Sequence, residues 1–217
     1  MPKHRKLTRI SLKAATARVK RAEARYVNKR TFVDIGIEEH IRPVVIALVA
    51  HGFPTQNSCG GHLESNLYPW VRFEPAFTGE IDRVLSEQHR KNPSRGVSLK
   101  RFRPAILAHV KRIHYEVGQL TTLLGSFWSR HSLTGDRELR ATPQWDPLAK
   151  SDDQVVDEYI AVRAKRFVAP PGYWLECNGA EALRMLPCEL LDPVRQKILD
   201  QRREDMRTFG EFLASKL

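Results

Sequence analysis

The strongest pattern in the chain is a run of apolar positions at Ile106, Val110, Ile113, Val117, Leu120, Leu124 and Phe127, spaced 4-3-4-3-4-3. That spacing keeps one side of a helix apolar. Pro104 suits a first turn, where its missing N–H costs nothing. The pattern predicts a helix over about 104–131, long enough at about 1.5 Å per residue to cross a domain. Its seam is expected to pack on the protein's own sheet, with a coiled-coil-like partner as the alternative.

Weaker patterns fill in the rest. Ile37 to Ala50 reads as an amphipathic helix, with Ile37, Ile41, Val44, Val45 and Leu48 on one face. Pro43 falls in its first turn and Gly52 supplies the stop. A strand over Phe53–Cys59, a loop over Gly60–Tyr68 and a strand over Trp70–Glu74 are expected next. A short helix follows over Gly79–Arg90, then a loop over Lys91–Gly96. The polar stretch 131–153 reads as a loop or flap. Tyr159 to Val168 alternates, Pro170, Pro171 and Gly172 make a turn, and Tyr173 to Cys177 returns, so a β-hairpin is predicted. A final helix starts with Asp192 as N-cap and Pro193 behind it. Its stripe is Val194, Ile198, Met206, Phe209, Leu213 and Leu217, interrupted by Arg202. Strands in two clusters separated by helices point to an α+β fold, a small mixed or antiparallel sheet covered by helices.

Charge changes this picture at one end. The net charge is +11. Residues 1–30 hold eleven basic residues against one acid, Glu23, so the remainder is nearly neutral. The chain therefore divides into a basic helical arm, 1–30, and a single domain, 31–217. Lys3, Arg5, Lys6, Arg9, Lys13, Arg18, Lys20, Arg21 and Arg25 are the expected nucleic-acid contacts, because such an arm neutralises phosphates without reading sequence. A solvated tail and an organelle transit peptide are the other readings of an Arg-rich, acid-poor start. Leu7, Ile10, Ala14, Ala17 and Ala24 give the arm a thin apolar side that can dock on a partner or on the body.

Three cysteines, Cys59, Cys177 and Cys188, argue against a disulfide framework and for a reducing cytoplasm. No apolar run approaches the roughly 20 residues of a membrane helix. The chemistry is concentrated in Thr55-Gln56-Asn57-Ser58-Cys59-Gly60-Gly61-His62. Thr55 and Ser58 bring hydroxyls. Gly60 and Gly61 allow close approach to the backbone, where successive N–H groups can form an anion-binding nest. Cys59 and His62 are the candidate catalytic pair, a thiol and an acid/base. Their C-x-x-H spacing gives only two metal ligands, and no second paired motif is present, so no metal and no particular cofactor is expected. Trp70 and Arg72, with Trp174, are expected on strands near this loop, as a platform for a base. A P-loop, a nucleophile elbow and a dinucleotide fingerprint are absent.

Two resemblances enter here. The pattern T-x-x-S-C-x-G-H (Thr55, Ser58, Cys59, Gly61, His62), followed by Pro69-Trp70-Val71, resembles that of a group of uncharacterised bacterial and phage proteins. The ending Arg203-Glu204-Asp205-Met206 with Phe209, Phe212 and Leu213 is similar to theirs. That group usually has an acidic residue where this chain has Gly60, and Glu64 is the nearby candidate to replace it. The spacing of Thr55, Ser58, Cys59 and Gly61 also resembles the T-x-S-S-C-S-G-R stretch of the wybutosine-synthesis tRNA methyltransferase family, which implies RNA as substrate. The leading expectation is a nucleic-acid-associated, RNA-directed protein with a phosphate- or nucleotide-holding loop made of Thr55, Ser58, Gly60, Gly61, Glu64, Trp70 and Arg72. The alternatives are a small-molecule or nucleotide binder without nucleic acid, and an interaction module contacting a protein partner or a second copy. Whether the chain is an enzyme is left open.

Overall fold

In a computed structural model, the described residues are 7–27, 37–62, 68–75, 81, 83–84, 87, 99–131, 138–145, 151–163, 172–177 and 192–217. Among them are five complete helices: α1 (Leu12–Val27), α2 (Arg42–Ala50), α3 (Arg103–Trp128), α4 (Asp152–Arg163) and α5 (Asp192–Ala214). Four strands, β1 (Thr55–Cys59), β2 (Trp70–Phe73), β3 (Leu139–Pro143) and β4 (Tyr173–Cys177), form one sheet in the order β1-β2-β4-β3. Every pairing is antiparallel. The class is α+β, as expected. No helix among the described residues is long and apolar enough to cross a membrane.

The helix α2 sits at the centre. Six of its nine residues, Val44, Val45 and Ala47–Ala50, are buried. A helix that is apolar nearly all round must be covered nearly all round, which corrects the amphipathic reading of this segment. Its end follows the sequence signal. Gly52 takes φ +90, the Gly52 N–H donates to the Val49 carbonyl at 3.0 Å, and the Phe53 N–H donates to the Leu48 carbonyl at 3.0 Å. That is a Schellman stop, which needs a residue free to adopt positive φ.

Three elements close over α2. The basic arm is not free: within it α1 buries Ala15 and Val19 in the main core, and the Ile10 N–H donates to the Ala50 carbonyl at 2.8 Å. Glu23 pairs with Arg42 at 2.8 Å and also accepts from the Ile37 N–H at 2.9 Å. From the opposite end of the chain, α5 buries Met206, Phe209, Phe212 and Leu213 in the same core. The sheet adds Val71, Phe73, Leu139, Tyr173, Leu175 and Cys177.

The long helix is where the 4-3 spacing puts it. Ile113, Leu120, Leu124 and Phe127 join the main core, while Ile106 and Val110 join a second cluster with Ile81, Leu99, Phe102, Val155, Val156 and Tyr159. The seam is thus covered within the chain. Glu116 is buried on the same helix, accepting from Arg112 Nε at 2.8 Å and from the Tyr173 hydroxyl at 3.0 Å. Burial outweighs both partners and raises its carboxyl above the usual range.

Several expectations are corrected. The Tyr159–Val168 segment is helical as far as Arg163, within α4. Its start is a reciprocal cap: Ser151 Oγ accepts the Gln154 N–H at 3.3 Å, and Gln154 Oε1 accepts the Ser151 N–H at 2.8 Å. With Asp152 and Asp153 in the first turn, this S-x-x-Q capping box outweighs the local alternation. β4 therefore pairs with β2 and β3 instead. The expected flap contains β3, an edge strand ending at Pro143, where a missing N–H is tolerated. Trp145 follows it and donates to His114 Nε2 at 3.3 Å, while His114 Nδ1 meets Asp152 at 2.8 Å. On α5 the apolar stripe is shorter than expected: Val194 and Leu217 are exposed, and Arg202 is buried over the Tyr68 ring. Ile81, Arg83, Val84 and Glu87 are helical, in line with the expected short helix. The rest of that segment, Lys91–Gly96, Cys188 and residues 164–168 lie outside the described residues.

Two outcomes are expected. A Cβ on Gly210 would lie 2.9 Å from the Val44 backbone, whereas nothing lies within 4 Å of one on Gly118. Gly210→Ala should destabilise by about 1–3 kcal/mol through overpacking, while Gly118→Ala in α3 should gain up to about 1 kcal/mol of helix propensity, both read from urea midpoints. His51, at the end of α2, is 3% exposed, and its Nε2 donates to the Leu213 carbonyl at 2.8 Å. Burial, the largest effect on it, lowers its pKa below the ordinary 6.5. A depressed folded-state value means that stability is present above 6.5 and is lost as pH falls through 6.5 toward the lowered value. Urea midpoints should fall over that window in the wild type and less steeply in His51→Gln.

Candidate functional site

The eight residues from Thr55 to His62 do not converge on one point. They divide between two places, on either side of the end of β1.

The first place is a cavity of about 350 Å³ between α1 and the sheet, lined by Arg18, Val19, Ala22, Glu23, Ile37, Val45, Val49, Thr55, Gln56, Asn57, Ser58 and Arg72. The apolar wall comes from the faces of α1 and α2 that also build the core. The polar wall is β1, whose irregular pairing with β2 between Thr55 and Asn57 turns its side chains off a simple alternation. Arg72 stands beside Asn57 in the register. Its Nε and Nη2 atoms are buried and have no hydrogen-bond partner among the described residues. Buried N–H groups left idle in this way are costly unless an acceptor reaches them. Arg72 also lies 5.6 Å from the Trp174 ring centroid, and Trp70 and Trp174 meet edge to face at 4.8 Å. The two tryptophans and the arginine named from the sequence are thus neighbours on one sheet face, and Arg72 links them to the cavity. Arg18 adds a second cation from the arm.

The second place is the turn after β1. Cys59 ends the strand opposite Trp70. Gly60 and Gly61 are buried, and Gly61 takes φ +79, a conformation that favours glycine. The residue the sequence did not reveal is Glu38, in the turn before α2. One of its oxygens, Oε2, accepts a short hydrogen bond from the Gly60 N–H. The other, Oε1, lies 3.0 Å from His62 Nε2. The Gly61 N–H reaches Cys59 Sγ at 3.4 Å. The loop amides therefore already have acceptors, and the anion in this nest is the protein's own carboxylate. From α5, Arg203 donates to the Gly60 carbonyl at 3.0 Å and to the Gly61 carbonyl at 2.9 Å. Both faces of the turn are thereby fixed, its amides by Glu38 and its carbonyls by Arg203.

This geometry bears on catalysis. Burial pushes the Cys59 thiol above its ordinary value; the Gly61 N–H and Arg203 oppose that, and Glu38 adds to it. A protonated, half-buried thiol is a poor nucleophile. His62 Nε2 faces Glu38. The thiol–imidazole pair is therefore not arranged as an activated nucleophile and its base.

The remaining expected residues fall in several positions. Lys13, Lys20 and Arg21 are exposed on α1, and Arg9 donates to the Lys216 carbonyl at 3.3 Å. Arg25 lies on α1, though its side chain is outside the described residues, as are Lys3, Arg5, Lys6 and Glu64. The carboxylate that meets Gly60 among the described residues comes from Glu38, 22 residues upstream. No spacing rule points to Glu38, because the β1–β2 turn reaches it only through the tertiary fold. Arg203 was visible only as part of a terminal motif.

No protein-family model, no curated protein and no solved structure matches the chain.

Replacing Arg203 by Met should destabilise the protein by about 2 kcal/mol, the scale of losing charge-assisted hydrogen bonds to buried carbonyls, as measured by urea unfolding. A loss below about 0.5 kcal/mol would mean that the turn holds itself, since that is what ordinary surface substitutions cost.

Proposed function

We propose that this chain binds single-stranded nucleic acid, RNA in the first instance, by seating a phosphate-bearing nucleotide in the cavity between α1 and β1. The observation that carries this reading is the half-buried Arg72, whose buried Nε and Nη2 lack a partner among the described residues at the edge of a cavity that also presents Arg18, Gln56, Asn57 and Ser58. A bidentate arginine suits a phosphate oxygen pair. The volume lies at the small end of ligand sites, and an apolar wall facing a polar one suits a base joined to a sugar-phosphate. Trp70 and Trp174 beside Arg72 provide flat surfaces for a neighbouring base. The exposed Lys13, Lys20 and Arg21 on α1 would follow the backbone beyond the cavity. The local resemblance to an RNA-modifying family points the same way. In this reading the phosphate is held by Arg18 and Arg72, not by the Gly60 and Gly61 amides.

Fluorescence anisotropy with a labelled single-stranded RNA oligonucleotide tests it. Binding should weaken linearly in log–log form as salt rises. Lys13→Ala with Lys20→Ala and Arg21→Ala should reduce the salt slope by about 2, about 0.7 for each phosphate of a single strand no longer neutralised. Arg72→Met should weaken binding by about tenfold or more, the scale of one charge-assisted bidentate interaction. Failure to bind at low salt, or binding indifferent to both sets of changes, would remove the proposal. Thermal stabilisation by free nucleotides that survives the three α1 changes but not Arg72→Met would instead favour a nucleotide binder without nucleic acid.

A further inference from the structure

We propose that Glu38, Cys59 and His62 form a three-ligand site for a divalent transition ion, zinc before any other. A Glu38 carboxylate oxygen, Cys59 Sγ and a His62 ring nitrogen all lie within 4.8 Å of one another. Two of the three are closer still, with Glu38 Oε1 and His62 Nε2 at 3.0 Å. A tetrahedral zinc with bonds of about 2.0–2.3 Å holds its ligand atoms about 3.3–3.6 Å apart. The carboxylate and imidazole are near that spacing already. The thiol needs only a side-chain adjustment, and Cys59 is half-buried rather than packed shut.

The surroundings resemble those of a supported site. Oε2 of Glu38 is held by the Gly60 N–H, which leaves Oε1 directed at His62. The Gly61 N–H points at Cys59 Sγ, an interaction that favours a sulfur carrying negative charge. Arg203 fixes the carbonyls of both glycines, so the turn that carries two of the ligands cannot drift. Groups that orient metal ligands in this way are commonly worth about 10–100-fold in affinity. The side chains of His62 and Glu38 are 54% and 32% exposed, which gives an ion a path in from solvent.

The donor set selects the ion class. One thiolate, one imidazole and one carboxylate suit zinc and its borderline-soft neighbours and do not suit magnesium or calcium, which take oxygen ligands. Three protein ligands leave a fourth position for water or for an anionic oxygen of a guest. This site is separate from the α1–β1 cavity, which none of its three residues lines. The inference therefore stands whether or not the nucleic-acid reading does.

The test uses the full chain and zinc alone, titrated against a chromophoric chelator, with cobalt as a second probe. One equivalent of zinc per chain is expected, and the cobalt form should show a sulfur-to-metal charge-transfer band in the near ultraviolet. Cys59→Ser should abolish that band. Glu38→Gln and His62→Ala should each weaken zinc binding by about 100-fold or more, at or beyond the loss seen for supporting groups. His62 is exposed, so His62→Ala is the variant least able to disturb folding, and it alone decides if Cys59→Ser does not fold. Less than one equivalent of zinc in the wild type overturns the proposal. So does unchanged zinc affinity in His62→Ala, which would place the ion on other histidines or cysteines.

Discussion

A nine-residue helix with almost no polar face has to be surrounded, and that requirement organises the whole molecule. α2 buries Val44, Val45 and Ala47–Ala50, and burying aliphatic side chains is worth about 1.5–3 kcal/mol each. No single neighbour can cover such a helix. The sheet covers part of it, α5 a second part and α1 a third. Each cover brings a chemical group with it. The docking of α1 sets Arg18 across from Arg72, and the docking of α5 sets Arg203 under the Gly60–Gly61 turn. Glu38 lies four residues before α2 and Thr55 follows it within five residues, so both candidate sites are attached to the two ends of the same buried helix. The core thus positions the chemistry without supplying any of it.

The same constraint explains why the basic arm has two kinds of side. Ala15 and Val19 are buried, and small residues let α1 approach α2 closely. Glu23, the one acid among residues 1–30, is spent on Arg42 and on the Ile37 N–H, which lowers its carboxyl below the usual range, Arg42 being the largest cause. Lys13, Arg18, Lys20 and Arg21 stay exposed. The docked face provides attachment and the outer face keeps its field.

Periodicity and caps carry the legible part of this fold. The α3 seam, the α2 stop at Gly52 and the α5 start at Asp192-Pro193 are local signals, and the local physics decides them. The failures lie where two signals compete. Tyr159 to Val168 alternates like a strand, but the Ser151–Gln154 box upstream had already committed the segment to a helix. β3 is an edge strand within a polar stretch, and its inward positions, Leu139, Ala141 and Pro143, make an alternation only five residues long that includes a proline. In the candidate site, Thr55, Ser58, Cys59, His62, Trp70 and Arg72 were legible as residue types at one junction. Their division between two places was not, because it depends on which side of β1 each neighbour packs. Glu38 was not legible at all, since an interaction across 22 residues leaves no mark on spacing.

The two adjacent glycines show how far a local reading falls short. In the sequence, Gly60-Gly61 looks like one tight turn. In the structure they answer different constraints. Gly61 takes φ +79 and has Leu199 at 2.7 Å and the Tyr68–Pro69 backbone at 3.0–3.1 Å from where a Cβ would stand, so both conformation and space exclude a side chain. Gly60 is not at positive φ. It lacks a side chain because a Cβ would sit 2.8 Å from Glu38 Oε2. A Cβ at position 60 would push that carboxylate, the mobile end of a flexible side chain, off the Gly60 amide. Gly60 is thus the opening that admits Glu38, and with Glu38 comes the negative charge that orders the amides, draws His62 toward the turn and faces the Cys59 thiol.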